Sequence, residues 1–566
     1  MLDSYFLNNI RTLFINKNYD EVIKLTKNLT IDENIPSWLL NIIGISKNLQ
    51  IKKTDIDVLF SLSLFEKAFL KEKEGLYGLE GLSNLIATTL TQLNNKNLKK
   101  EISNYLKLCE KYYLSSEKFF GNNEKFLIIG SNLFLFLLDQ NKEKEILKKL
   151  LKSNIKKKDV IVSRYLFLQN YFNSWSQKEH YDNARELNIF FPKLEILELD
   201  KINFNQNKKI RIGFVSKDLY ENHSLCYFVS NIFKHYDKNL FEINVYSFAP
   251  KDNPNLKKYV SKWHNLKNNV DNQEVAKIIQ FDKTQILIDL MGYTSGNRIG
   301  LFNTRICPIQ ISWLAYTNTL GFKNVDYLIA DKNLIFKDEI QYYSEQVLML
   351  ENIWNAHSGF EYDRNFKVSP CIDNKMIHFG SFNNFKKISD ETIEVWSSIL
   401  KKKKNSKLIL KSSFEVATFK ILDKFKKFGV ENQIEIFHRN EYDDFNHHLN
   451  LYDKIDIALD TFPYNGVTTT FEALWKGVPV ITISGFNFNS RCGNSILKNA
   501  NLENLIARDK NDYISKALAL SENFANLNKL RKKIFDEILD SPLFDSKAFA
   551  KDFYNTLSEV YKNYLK

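Results

Sequence analysis

Leu459-Asp-Thr-Phe-Pro-Tyr-Asn-Gly-Val-Thr-Thr-Thr-Phe-Glu-Ala-Leu-Trp-Lys-Gly-Val-Pro-Val480 decides how this chain is read. An apolar strand, Ile455 to Leu459, enters a polar loop shaped by Pro463 and Gly466. A helix follows, then a second apolar run from Val478 to Ile483. Thr468, Thr469 and Thr470 stand where the helix begins, with Glu472 expected in its first turn. The first N–H groups of a helix lack intrahelical acceptors, and the helix dipole adds partial positive charge there. Hydroxyls beside such amides suit a diphosphate. An ordinary threonine N-cap is the plainer alternative. Three threonines after a glycine, at a strand–helix junction, favour the ligand site, because open parallel sheets bind ligands beyond the carboxyl ends of their strands.

The same rhythm extends in both directions. Upstream, strands are expected at Ile377 to Phe382, Leu408 to Leu410 and Ile434 to Phe437, with helices between. Ser389 can cap one of them, with Asp390 and Glu391 in its first turn and Ile393, Trp396 and Leu400 on one face. Before a long break from Tyr342 to Asp373 lies an earlier series: Ile210 to Val215, Ile243 to Phe248, Ile286 to Met291, Ile309 to Leu314 and Tyr327 to Ala330. Alternating strand and helix indicates a parallel α/β sheet. Two such runs in series predict two Rossmann-like lobes, residues 206–372 and 373–566, with a ligand cleft at their joint. Helices from Tyr513 to Tyr564 are expected to cross back over the first lobe.

Residues 1–205 read differently. Ile10, Leu13 and Phe14 recur at helical spacing, as do Leu59, Leu62, Phe65, Ala68 and Phe69. The break Asn16-Lys-Asn-Tyr19 followed by Asp20, Glu21 and Val22 resembles a tetratricopeptide inter-helix turn, although the ~34-residue period is not clean. A degenerate, TPR-like helical array is expected, with a plain bundle as the alternative.

Bulk composition excludes several classes. Hydrophobic residues make up 44% and charged residues 26%, so disorder is not expected. The net charge of +12 comes from lysines spread along the chain, without a recognisable nucleic-acid module. Its densest run, Lys401 to Lys404, falls at an expected helix end, where cations suit the dipole. The five cysteines form no C-x-x-C pair, which suits a reducing cytoplasm. No signal peptide is expected. The longest apolar run, Phe126 to Leu138, falls short of the ~18 residues of a membrane span.

Several stretches, in order, resemble the O-linked N-acetylglucosamine transferase and SPINDLY family of glycosyltransferases. They are Gly213-Phe-Val-Ser-Lys-Asp218 with Asn222-His223, Asp289-Leu-Met-Gly-Tyr-Thr294, Arg305-Ile-Cys-Pro-Ile-Gln310, Phe379 to Ile388, and the 459–480 segment itself. Ser490-Arg491 and Ser541-Pro-Leu543 also fit. The resemblance covers roughly residues 209–560. It implies the GT-B fold and an inverting, metal-free transfer of a sugar from a nucleotide sugar, UDP- or GDP-linked, to Ser/Thr hydroxyls of proteins. No other cofactor is implied, and acceptor proteins would be recruited by the helical domain.

The resemblance assigns His223, Lys387 and His448 as catalytic. It places Asn384, Lys387, His448, Thr468, Thr469, Thr470 and Glu472 around the nucleotide sugar. Tyr293, Thr294 and Tyr316 fall on the acceptor side of the cleft. Lys387 and the helix start supply the positive charge that a departing diphosphate needs without a metal. The D-x-D found, Asp55-Ile-Asp57, lies in the helical region. Departures touch the donor contacts: Glu221-Asn-His-Ser224, Val467-Thr-Thr469 with Glu472, and Ala315-Tyr-Thr-Asn-Thr319. Base and sugar therefore stay open, N-acetylglucosamine or fucose. The competing function is a helical-repeat scaffold with a degenerate catalytic module; the joint presence of Lys387, His448 and the threonines argues against it.

Overall fold

A computed structural model gives the fold. It describes residues 3–50, 53–199, 209–361, 364–412, 418–438 and 445–566, the side chains of 445–447 excepted. The boundary expected between residues 205 and 206 lies outside the described residues. The chain divides into two compact units, Met1–Lys156 with Ser413–Ile421, and Lys157–Ser412 with Leu422–Lys566.

The first unit is helical. Its helices are Ser4–Ile15, Tyr19–Thr26, Ser37–Asn48, Asp55–Lys71, Leu76–Thr91, Lys99–Phe120, Glu124–Phe136 and Gln140–Lys152. Lys17 makes the first turn with a left-handed φ of 58°, inside the break read from the sequence. Ile10, Leu62, Phe65, Ala68 and Phe69 are buried, as their spacing predicts; each large side chain contributes roughly 1.5–3 kcal/mol. Alternate helices begin at Ser4, Ser37, Leu76 and Glu124, at intervals that lengthen along the chain, so no strict repeat runs through them. Thr54 and Asp57 cap the fourth helix reciprocally, and Asp57 also pairs with Lys47 at 3.0 Å. Asp55 accepts from Asn95 at 2.9 Å and Asn97 at 2.8 Å. The D-x-D pair is thus occupied in closing a helix end.

The second unit holds two parallel sheets. The first comprises β1 (Ile210–Ser216), β2 (Phe241–Ser247), β3 (Lys262–Asn265), β4 (Ile286–Asp289), β5 (Ile309–Ser312), β6 (Tyr327–Asp331) and β7 (Gln346–Leu350), in the order β3-β2-β1-β4-β5-β6-β7. The second comprises β8 (Ile377–Ser381), β9 (Ser406–Ser412), β10 (Ile434–His438), β11 (Ile457–Leu459), β12 (Val480–Ile483) and β13 (Ile506–Ala507), in the order β10-β9-β8-β11-β12-β13. Both are doubly wound. Their strand order reverses between β1 and β4, and between β8 and β11, and a ligand crevice forms at such a reversal. Two separate sheets meet the expectation of two lobes.

Strands missing from the sequence reading are β3, β7 and β13, all at sheet edges. Central strands are covered on both faces and read as apolar runs. Lys262-Trp-His-Asn265 lacks that signature, and β13 is only two residues long. β7 falls inside the stretch read as a break.

Helices Lys158–Leu168 and Gln177–Leu187 belong to this second unit. Gln177 Nε2 donates to Asn318 Oδ1 at 2.9 Å, and Asn188 Nδ2 to the Leu320 carbonyl at 3.2 Å. Asn487 and Asn489 of the second lobe donate to Gln177 Oε1 and the Asn170 carbonyl, both at 3.1 Å. Arg491 grips Glu339 through both terminal nitrogens, at 2.5 and 2.6 Å. Ser495 donates to Asp331 at 2.6 Å. The C-terminal helix Ser546–Tyr564 crosses back to the first lobe: Tyr554 Oη donates to the Ile232 carbonyl at 2.8 Å, and Phe553 packs 4.8 Å from Trp313. Among the described residues no helix is long and apolar enough to cross a membrane.

Candidate active site

Asp460 directly follows β11 and shapes the loop there. Its buried carboxylate accepts from Gly466 N at 2.7 Å, Thr461 N at 2.9 Å and Thr482 Oγ1 at 2.7 Å. Burial pushes its pKa up to about 6, against the pull of the Gly466 and Thr482 donors. A Cβ on Gly466 would lie 2.4 Å from Thr469 Oγ1 and 2.8 Å from Asn383 Oδ1, so only glycine lets the loop pass. Thr469 and Asn383 share a 2.8 Å hydrogen bond there. The loop delivers the chain into the helix Thr468–Trp475, whose N-cap, Val467, supplies no side-chain oxygen. The hydroxyls of Thr469 and Thr470 are turned to Asn383 and the Gly466 carbonyl. Thr469 and Thr470 therefore brace the junction, and no side chain caps the positive end of the helix.

A cleft of about 280 Å³ opens onto this junction. His223, Leu225 and Phe228 line it from the first lobe; Asn383, Asn384, Lys387, Val467, Thr468 and Thr469 line it from the second. Asn384 accepts from Lys386 N at 3.1 Å, fixing the short turn that carries Lys387. The Lys387 ammonium donates to the Asn465 carbonyl at 2.8 Å and sits 4.0 Å above the Tyr464 ring. Burial pulls its pKa down to about 8, with Asp460 opposing. It is still mainly charged at neutral pH, and poorly hydrated.

Behind the helix start runs a chain of three side chains. Lys411 Nζ lies 2.9 Å from His448 Nδ1, and His448 Nε2 lies 3.0 Å from Glu472. An ammonium only donates, so Nδ1 accepts and Nε2 carries the proton toward Glu472. Tyr452 Oη donates to Glu472 at 2.7 Å and to the Thr469 carbonyl at 3.1 Å, tying this chain to the junction. Burial raises the Glu472 pKa, but His448, Lys411 and Tyr452 together hold it below the usual range. Glu472 sits beyond the first turn, and like His448 it is buried behind the cleft lining.

In the first lobe, His223 stands at the start of the helix Leu225–Lys234. Its Nδ1 accepts from Leu225 N at 3.3 Å, which leaves the proton of a neutral ring on Nε2, 3.9 Å from Asp218. Burial holds its pKa below the ordinary value. Tyr293 is buried and donates to Asn188 Oδ1 at 2.9 Å. Tyr316 is buried edge-on against it at 5.2 Å. Thr294 Oγ1 is enclosed without a partner among the described residues. The three belong to the layer behind the cleft, whose lining there is Leu314, Ala315 and Thr317. Asp289 secures this region by accepting from Gly292 N at 2.5 Å and Met291 N at 3.3 Å.

The structure thus brings His223, Asn384, Lys387, Thr468 and Thr469 to one cleft, with His448, Thr470 and Glu472 just behind it. Lys411 and Asn355, which also shape or line the site, have no local sequence signature, whereas Asn383 lies within the Phe379 to Ile388 stretch. Among the described residues no cluster of His, Cys, Asp and Glu is placed to hold a metal.

Comparison with known proteins gives this geometry a context. The family model described as glycosyl transferase family 41 matches residues 177–358 and 366–553. The SPINDLY protein of Solanum lycopersicum, named as a probable UDP-N-acetylglucosamine–peptide N-acetylglucosaminyltransferase, is 30% identical over 413 residues, 70% of this chain and 44% of the relative. The Arabidopsis thaliana protein SEC, named for the same activity, is 30% identical over 366 residues, 61% of this chain and 36% of the relative. The chain thus spans less than half the length of these curated relatives. A solved mutant of the Thermobaculum terrenum O-GlcNAc transferase shares the fold, with TM-score 0.75 at 21% identity over 95% of this chain and 99% of that one. The family match begins at Gln177, inside the helices that pack onto the first lobe, and runs through both sheets: the chain belongs to glycosyl transferase family 41.

Proposed function

We propose that this chain transfers a sugar, of N-acetylglucosamine or fucose type, from a UDP- or GDP-linked donor to Ser/Thr hydroxyls of proteins, with inversion and without a metal ion. One observation carries the reading: Lys387 and the start of the helix Thr468–Trp475 line one wall of a cleft whose other wall carries His223. A diphosphate against Lys387 and that helix start meets an ammonium and the positive end of the helix. As the glycosidic bond breaks, charge builds on the departing oxygen, and preorganised donors stabilise it most at that moment. No carboxylate is among the lining residues, so the acceptor hydroxyl itself displaces the diphosphate, and a single displacement inverts the anomeric carbon. His223 orients that hydroxyl through Nε2–H, and as the new C–O bond forms and the glycosidic bond breaks, the hydroxyl proton passes to a phosphate oxygen of the departing diphosphate.

The division that accompanies this reading is a helical N-terminal part within residues 1–205, an acceptor-side lobe within 206–372 and a nucleotide-side lobe within 373–566. The helical part recruits acceptors, as extended helical arrays do. Four cysteines are buried and none is paired, which suits a reducing cytoplasm. The test is transfer of labelled sugar from UDP-N-acetylglucosamine and from GDP-fucose to peptides, with EDTA present, followed by NMR of the new linkage. Transfer that persists in EDTA with an inverted anomer is expected. Transfer that depends on added manganese, or a retained anomer, overturns the mechanism.

A further inference from the structure

The cleft contains one polar group that nothing so far has used. Asn355 lines it, is 1% exposed, and its Oδ1 is buried with no hydrogen-bond partner among the described residues. Buried polar atoms are nearly always paired, and an orphan costs the full desolvation of the group. Poor packing does not account for it, because the segment around Asn355 is pinned on both sides. Trp354 N donates to Asp331 Oδ2 at 3.1 Å, and the Trp354 carbonyl accepts from Trp313 Nε1 at 2.9 Å. The Ala356 carbonyl accepts from Asn231 Nδ2 at 2.6 Å, and His357 N donates to the Leu543 carbonyl at 2.8 Å. The backbone is fixed, and the carboxamide is held at the cleft with an unmet acceptor.

We propose that Asn355 recognises the transferred sugar, accepting a hydrogen bond from a sugar hydroxyl or acetamido N–H of the bound donor. This rests on the reading of the cleft as a nucleotide-sugar site. Lys387 and the helix start answer to the diphosphate, which offers only acceptors. Asn355 offers the opposite chemistry. An amide oxygen has nothing to gain from phosphate oxygens and everything from an O–H or N–H donor. The apolar neighbours Leu225, Phe228 and Leu314 suit the C–H faces of a pyranose and keep competing water away. A site built this way discriminates strongly, because a ligand lacking the donor leaves the oxygen orphaned.

The experiment compares wild type with Asn355→Leu, which keeps the shape and removes the acceptor. Calorimetric affinities are measured for UDP, GDP, UDP-N-acetylglucosamine and GDP-fucose, with the thermal midpoint of each unliganded protein. The variant is expected to melt at the wild-type temperature or above, since it loses a buried orphan. It should bind the free nucleoside diphosphate as wild type does and bind the matching nucleotide sugar roughly tenfold more weakly. Unchanged sugar-nucleotide affinity overturns the proposal, as does an equal loss for nucleotide and nucleotide sugar. If Asn355→Leu melts lower, Asn355→Ser decides by the same affinity ratio. A wild type that binds none of the four probes instead overturns the nucleotide-sugar reading itself, a separable result.

Discussion

Replacing Lys387 with alanine tests the electrostatic core of the mechanism. The change removes a 2.8 Å hydrogen bond to the Asn465 carbonyl and a cation–π contact with Tyr464. Together these are worth about 1–2 kcal/mol. It also removes a cation whose pKa burial has drawn down to about 8, so desolvation is relieved at the same time. The two effects oppose, and the melting temperature should hardly move. The ground-state donor complex loses one charge-assisted bond, worth ~1.5–3 kcal/mol in isolation. Lys387 already has partners in the free protein and exchanges them on binding, so the net loss of affinity should be near tenfold. In the transition state the diphosphate carries more charge, and comparable donors are worth ~100–1,000-fold in turnover. The assay is single-turnover transfer with saturating donor, beside nucleotide affinities by calorimetry. Lys386→Ala is the control, since its side chain is absent from the cleft lining. Equal losses at both lysines, or none at Lys387, would show that the diphosphate lies elsewhere.

Two further outcomes follow from the same geometry. Only the ammonium form of Lys387 attracts a diphosphate, so nucleoside diphosphate affinity should be full below pH 8 and fall as pH rises through about 8. Calorimetry across that interval checks this, and a flat profile, or the same slope in Lys387→Ala, would refute it. Gly466→Ala should place a methyl 2.4 Å from Thr469 Oγ1, break the Thr469–Asn383 bond and shift the helix start. We expect a stability loss of ~1–3 kcal/mol and at least tenfold weaker nucleotide binding, read by thermal melting and calorimetry. Undiminished binding would mean that the helix start does not hold the phosphates.

What the sequence made legible is what it encodes locally. The strand–loop–helix of 459–480 is a contiguous signal, and the central strands, apolar on both faces, announced themselves. Edge strands β3, β7 and β13 did not: β3 lacks an apolar run, β13 is two residues long, and β7 falls in the stretch read as a break. Lys387 and the threonines lie in recognisable stretches. Lys411 does not, for its partner His448 is 37 residues away. Ser495 and Asp331 are 164 residues apart, and such pairs exist only once the lobes are folded. Tyr293 and Tyr316 sit beside the right loops, yet their rings turn inward to Asn188 and to each other. Proximity in sequence gave the place of these tyrosines but not their direction. Asn355 had no signal: its meaning lies in an unmet lone pair.

At the start of the helix Thr468–Trp475, Val467 brings no capping side chain, and the hydroxyls of Thr469 and Thr470 are spent on internal braces. The positive end that remains belongs to the peptide backbone, which is the same whichever side chains it carries. Substitution can therefore rewrite the residues that read the base or the sugar while the hold on the phosphates persists. On the proposed reading, one scaffold can change its donor without first losing its chemistry, and a departure such as Val467-Thr-Thr469 retunes specificity without touching the backbone amides of the helix start.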